Sequence, residues 1–391
     1  MKRREFCRQF VLVGGAFVLT PIINSCAPLA DPTPEGSDQL PKNAPPRATH
    51  TPHPTQLPQP SATTGSDPTQ APQQPTETNP TDTPQPSPTA EFSGATVALV
   101  KTTDRAYGVR RALELFGLNP VRGNRVLFKP NYNSAEPAPA STHPDILRSL
   151  VKEMNDMGAR SITIGERSGM GDTRAVLTQT GVYSLGDELG FDTVVFDEMD
   201  EEEWIIKQSG DFHWQSGIAV PKMLLDSECV VQTCNLKTHG YGGHFTLSLK
   251  NSVGFVARSV REGAHNYMAE LHGSPYQRHM IAEINTIYKP ALIVMDGVDA
   301  FLDGGPAEGT LARPSVVLAG TDPVAIDAVG VAILRLFGTT PQVSEGKVFE
   351  LEQIARAVEL GLGIDAPERI RIVTGDAESE AYANLISQYL S

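Results

Sequence analysis

The sequence predicts an α/β fold, a mostly parallel open sheet flanked by helices, forming one large domain with room for a small second lobe. Two observations predict it. From about Thr96 onward, short β-branched runs alternate with helical patterns, the texture of strands joined by crossover helices. Just past most of those runs stand polar residues, as expected where parallel strands deliver side chains to one edge of a sheet. The roughly 295 residues involved sit at the upper edge of what a single core holds.

Ahead of that domain come two segments of different character. Residues 1–26 open on Lys2-Arg3-Arg4, continue through an apolar run from Phe10 to Ile23 and end at Ser25-Cys26, the order of a targeting signal. Arg3-Arg4-Glu5-Phe6 resembles a twin-arginine export signal, and Ile23-Asn24-Ser25-Cys26 resembles a lipoprotein cleavage box that would place lipid on Cys26. An uncleaved N-terminal anchor is the alternative. Residues 27–91 hold 17 of the chain's 31 prolines and no Ile, Val, Met, Phe, Trp or Tyr. Such a stretch cannot bury a core and reads as a disordered, partly polyproline II tether. The expected location is therefore extracytoplasmic and membrane-tethered through the N-terminal anchor.

Within the domain, 92–391, the expected strands are 96–100, 125–129, 161–165, 193–196, 228–233, 291–295, 315–319 and 370–373. The clearest helix follows Thr142, with Pro144 in its first turn and Ile146, Leu147, Leu150, Val151 and Met154 on one stripe; the Thr142 hydroxyl is its expected cap. Residues 198–216 interrupt the alternation and suggest a hairpin or lobe edge. Cys229 and Cys234 lie an odd number apart on one strand, which points them to opposite faces and argues against a disulfide. Two cysteines cannot build a four-thiolate cluster, so no iron–sulfur cluster is expected; the cofactor is otherwise open.

Charge narrows the partners. The chain carries −14 overall and −17 without residues 1–25, a field that repels nucleic acid, so no nucleic-acid partner is expected. Against that background, Cys229 to Arg261 contains no Asp or Glu but holds Lys237, Lys250, Arg258, Arg261, His239 and His244. A basic island in an acidic chain points to a small anionic molecule as partner. Gly240, Gly242 and Gly243 would let the backbone approach it, and Phe245–Gly254 is expected to form a short helix aiming its N-terminal amides at it. Beyond the other strands stand Lys129-Pro130-Asn131, Glu166-Arg167, Asp197 and Asp296-Gly297.

Several carboxylates have competing readings. Asp322 is most simply a helix cap. Asp327, inside the same helix, must face solvent or meet a cation, since an unpaired buried carboxylate is costly. His239, His244 and Asp296 form a candidate metal set, although their spacing matches no zinc pattern. The chain has no nucleophile elbow, Walker loop or dinucleotide fingerprint, which lowers hydrolase, nucleotidase and dehydrogenase readings.

These residues carry a resemblance. "VLFKPNYN" (126–133), "CNLKTHGYGGHFTLSLKNSVGF" (234–255), "IVMDGVDAFLDGGPAEG" (293–309) and "VVLAGTDPVAIDAVG" (316–330) are similar to the domain-of-unknown-function 362 family over most of 96–340. The resemblance implies that Lys129, Asn131, Lys237, His239, Lys250, Asn251, Asp296, Asp322 and Asp327 fall on the family's motif positions. It brings little function with it. Several members add a ferredoxin-like cysteine segment, which this sequence lacks.

Three functions follow from the residues. In the first, an enzyme acts on a small anionic or carbonyl-bearing compound: Lys237 and Lys250 stabilise negative charge, His239 moves a proton near neutral pH, and Asn131 and Asn251 orient the ligand, with Lys129, Asp296, Asp322 and Asp327 completing the site. In the second, a binding lipoprotein uses the same lysines without turnover. In the third, His239, His244 and Asp296 hold a catalytic metal.

Overall fold

The computed structural model describes residues 92–261 and 264–391. The leader, the tether and Cys26 lie outside them. The strands, in chain order, are β1 (Ala95–Lys101), β2 (Arg125–Lys129), β3 (Ser161–Glu166), β4 (Asp192–Val195), β5 (Trp204–Lys207), β6 (Ile218–Pro221), β7 (Cys229–His239), β8 (His244–Thr246), β9 (Leu292–Gly304), β10 (Gly309–Ala312), β11 (Val316–Gly320) and β12 (Ile370–Val373). Ten of them form one sheet in the order β12-β1-β11-β9-β7-β2-β3-β4, with β10 added to β9 and β8 to β7.

The neighbours β12-β1, β9-β7, β7-β2, β2-β3 and β3-β4 run parallel. Only β11 on that path opposes its neighbours, β1 and β9. The sheet is thus mostly parallel, and its central strands read as near-continuous apolar runs because helices cover both faces. On one face Val97, Leu99, Cys234 and Met295 pack under the helix Pro323–Leu336. On the other, Val100, Phe128, Cys229 and Val231 meet Ile146, Leu147 and Leu150 of the helix Pro144–Asp156. The two cysteines are free, buried and on opposite faces. The excursion expected over 198–216 overlaps the antiparallel pair β5-β6, which spans 204–221 and packs Trp204, Trp214 and Ile218 with Phe196 and Phe255.

Two strands outrun their sequence signal. β7 continues from Thr233 to His239 and β9 from Met295 to Gly304. Lys237, Thr238, His239 and Asp296 were expected just past strand ends and lie inside strands instead: antiparallel β8 supplies ladder partners for Lys237, Thr238 and His239, and Asp296 lies between Asn235 of β7 and Val317 of β11. Between Asn235↔Asp296 and Lys237↔Phe301 the register shifts, a bulge that re-aims side chains where the two central strands leave the core.

Two local expectations are corrected. Phe245–Gly254 is not one helix: β8 takes its start, and the helix covers only Ser248–Asn251, followed by a 3-10 turn over Ser252–Phe255. Thr142 does not cap the next helix, since the His143 ring accepts from Asp145 N. Its hydroxyl instead accepts from Asn131 N at 2.8 Å, bracing a site residue.

Candidate functional site

Each site residue reaches one cavity through a different element. Lys129 ends β2, and Asn131 follows two residues on. Lys237 and His239 share a face of β7, being two apart. Lys250 and Asn251 come from the Ser248–Asn251 helix. All six line a cavity of about 490 Å3. The same cavity is lined by Glu166, Arg167 and Arg258, so among the described residues five cationic side chains share it with a single carboxylate.

That carboxylate is already used. Glu166 meets Lys129 Nζ at 2.5 Å with both side chains almost fully buried, and it also accepts from Tyr132 N and Arg167 N at 2.9 Å. Burial pulls the Lys129 amine down while Glu166 supports it. Gly254 packs directly on this pair: a Cβ there would stand 2.5 Å from Lys129 Cε and 2.9 Å from Glu166 Oε1. Arg167 has no carboxylate ion-pair partner among the described residues. Its guanidinium donates to the carbonyls of Val256 (2.6 Å), Val253 (2.9 Å) and Ser168 (3.3 Å), and burial pushes it down to about 10.

Lys237 and Lys250 differ in how they are held. Lys237 Nζ donates to Asn131 Oδ1 at 2.9 Å and to the Ala140 carbonyl. Asn131 Nδ2 in turn donates to Asn251 Oδ1 at 3.1 Å, and Asn251 Nδ2 to Thr233 O at 3.1 Å. The two asparagines therefore orient a lysine and each other, rather than standing free for a ligand as expected. Lys250 Nζ has no hydrogen-bond or ion-pair partner among the described residues, although the residue is only 8% exposed. Burial lowers the Lys237 amine to about 7, helped by Lys250; burial and the charge of Arg167 lower Lys250 to about 8. Around them Tyr132 Oη, Asn133 Nδ2 and Thr246 Oγ1 are buried without partners among the described residues. Buried polar groups in folded proteins are rarely left unpaired.

His239 corrects a mechanistic expectation. Burial, then Lys250 and Lys237, hold its imidazolium far below the usual histidine range. It is neutral at physiological pH and does not titrate near 7. Its Nδ1 accepts from Tyr241 N at 3.2 Å, which assigns the ring proton to Nε2. The ring is a fixed neutral donor.

Three expected residues lie elsewhere, each used by the fold. Asp296 is buried in the fork of Arg105, whose Nε donates to it at 2.8 Å while another nitrogen holds Asp299 at 2.7 Å. Asp322 caps the helix Pro323–Leu336 through Ala325 N and also accepts from Ile364 N, both at 2.9 Å. Asp327 neither faces solvent nor meets a cation. It is fully buried and accepts Ser248 N at 2.7 Å and Leu249 N at 3.2 Å. The amides expected to hold a ligand anion are thus occupied by the protein's own carboxyl group, which burial pushes up to about 8. The metal set does not converge either: His239 and His244 face each other across the β7-β8 ladder, while Asp296 is committed to Arg105. No group of three or more His, Cys, Asp or Glu side chains among the described residues is placed to hold a metal ion.

Sequence reasoning passed over other lining groups. Glu166 and Arg167 stood at a strand end and Arg258 in the basic island, but nothing raised them above their neighbours. Tyr132, Asn133 and Thr246 carried no signal beyond adjacency to Asn131 and to the island.

A family model described as Domain of unknown function (DUF362) matches residues 126–332. The thylakoid-associated protein sll1697 of Synechocystis sp. is 24% identical over 220 residues, 55% of this chain and 64% of that protein. The chain therefore spans somewhat less than two thirds of that relative's length. The lactate racemase apoprotein from Thermoanaerobacterium thermosaccharolyticum aligns at a TM-score of 0.37 and 14% identity, covering 77% of this chain and 87% of the other. At that level its activity transfers nothing to this protein.

Proposed function

The chain belongs to the family of domain of unknown function 362, and from that premise we propose that its lysine-lined cavity is the active site of an enzyme acting on a small anionic, carbonyl-bearing compound. One observation carries the reading: four buried cations, Lys129, Arg167, Lys237 and Lys250, and the exposed Arg258 line a cavity whose single carboxylate among the described residues is taken by Lys129. Unpaired buried charge is expensive, and folds retain it where a ligand supplies the counter-charge. Lys237 and Lys250 supply positive potential from buried positions, where charge stabilisation is strongest, and the exposed Arg258 adds to it. His239 contributes a neutral Nε2–H. The relay Asn251–Asn131–Lys237 fixes the lysine that faces the charge.

The test is calorimetric titration of the full chain with phosphate, pyruvate, 2-oxoglutarate and citrate at low and high salt, in wild type and Lys250→Met. The expected result is binding by at least one of these anions, weakened by salt and reduced at least about tenfold in the variant, since a desolvated charge contact is worth about 1.5–3 kcal/mol. Failure of every anion to bind, or equal binding by Lys250→Met, removes the proposal. The binding-protein reading has one observation in its favour, a His239 that does not titrate; absence of any turnover of the bound compound would select it.

We also propose that the domain works outside the cytoplasm, exported by residues 1–26, lipidated at Cys26 and held on the tether 27–91. The support is the order of basic, apolar and proline-rich segments in the sequence. Membrane fractions of a Cys26→Ala strain test it: loss of the protein from the membrane is expected, and unchanged retention refutes lipid anchoring.

A further inference from the structure

We propose that Lys250 is a covalent catalytic residue that forms an imine with a 2-oxo acid. This rests on the anion-site reading above and adds to it a substrate class and a nucleophile. Three lysines line the cavity, and their surroundings separate their roles. Lys129 is ion-paired with Glu166. Lys237 spends its N–H groups on Asn131 and Ala140. Lys250 alone of the three presents Nζ with no acceptor or carboxylate beside it among the described residues, so nothing there stabilises an ammonium or blocks the nitrogen.

Its stem is nonetheless fixed. A Cβ on Gly243 would stand 2.7 Å from Lys250 Cε and 3.1 Å from His239 Nδ1. The glycine loop therefore closes against the lysine and the imidazole together, leaving no room for a side chain at that point. Burial and the neighbouring cation Arg167 favour the neutral amine, the pattern by which lysines become nucleophiles toward carbonyls.

The charges that disfavour an ammonium also define the substrate. The charge of Arg167 bears on Lys250, and that of Lys250 on Lys237, in one cavity, so the matching anion belongs next to the electrophilic carbon. A carboxylate directly bonded to the carbonyl meets that requirement. Arg258 donates to Ser168 O at 3.2 Å and is otherwise uncommitted among the described residues. Among the described residues that line the cavity, Asn133 Nδ2, Tyr132 Oη and Thr246 Oγ1 are buried donors without acceptors.

The step balances without a redox partner. The Nζ lone pair attacks the ketone carbon, the carbonyl π pair moves to oxygen, and His239 Nε2–H steadies that oxygen as it takes a proton. The oxygen then leaves as water with the two hydrogens of the amine, and C=N replaces C=O.

Borohydride trapping tests the proposal. Full-length protein is incubated with pyruvate or 2-oxoglutarate at mildly alkaline pH, reduced, and read by intact mass and peptide mapping, with Lys250→Arg as control. The expected result is one reduced adduct per chain on the Lys250 peptide, absent from the variant and from urea-unfolded wild type. Calorimetry with 2-oxoglutarate and with glutarate, which lacks the ketone, runs alongside. Binding of both acids with no adduct overturns the imine while leaving the anion site standing. Neither binding nor adduct overturns both. An adduct on Lys237, on surface lysines, or equally in the unfolded chain overturns the assignment to Lys250.

Discussion

Replacing Lys250 with methionine is expected to make the protein more stable while removing its ligand. Methionine keeps an unbranched apolar stem of four heavy atoms and deletes the ammonium group. Lys250 is 8% exposed and has no counter-ion among the described residues, so the folded state must desolvate an ammonium that water solvates well in the unfolded chain. Its affinity for a proton falls from the ordinary 10.5 to about 8, which at about 1.36 kcal/mol per tenfold corresponds to roughly 3 kcal/mol. The sign follows from linkage. Below about pH 8 both states carry the proton and the whole penalty is present. Between 8 and 10.5 the folded amine is neutral while the unfolded one is still charged, so the penalty shrinks, and above 10.5 it is gone. Lys237 adds to the gain, because Lys250 is one of the charges holding its amine down.

The assay is urea unfolding of full-length wild type and variant at pH 7 and pH 10, in zwitterionic buffer so that no phosphate occupies the site. The variant should gain about 2–3 kcal/mol at pH 7 through a higher midpoint at unchanged slope, and less than about 1 kcal/mol at pH 10. A variant no more stable than wild type at pH 7 would show that Lys250 is compensated in the free protein. A gain that persists at pH 10 would show that packing, not charge, is responsible.

Other perturbations separate the site from the frame. Glu166→Gln leaves Lys129 buried without its partner and is expected to cost about 3–5 kcal/mol, most of it recovered in the double variant with Lys129→Met; a double variant as unstable as the single one contradicts the pairing. Gly243→Ala pushes a methyl toward Lys250 Cε and should weaken anion binding about tenfold or more at a cost of only about 1–3 kcal/mol in stability, which calorimetry and urea midpoints read separately. Asp327 has its folded value raised from 3.8 to about 8, so wild type loses stability as pH rises from about 4 to about 8. The advantage of Asp327→Asn over wild type should therefore grow by about 3–4 kcal/mol between pH 5 and pH 8, and a pH-independent difference refutes the buried neutral carboxyl. Asp296→Asn should lower stability through the Arg105 fork yet leave anion affinity unchanged; a parallel loss of binding would return Asp296 to the site.

The sequence by itself determined the alternation that makes an α/β sheet, most strand cores and the region of the site. Arg125–Lys129 and Ile370–Val373 were legible residue for residue, because β-branched and apolar runs bounded by turn residues are local signals. The acid-free span from Cys229 to Arg261 was legible for the same reason, and with it Lys237, His239 and Lys250. Tertiary structure alone decided which charges would be compensated. Asp327 is 79 positions from the Ser248 amide that it accepts, and Lys237 is 106 from Asn131, so no local pattern could say that the helix N-terminus was filled or that an asparagine served a lysine. Strand ends showed the same limit: β7 and β9 extend through residues without strand signals because β8 and β10 offer ladder partners there. His239 became a neutral donor, and Lys250 an unpaired amine, through burial and neighbouring charge. Those depend on what the chain folds around a residue, and the residue's own identity leaves them undetermined.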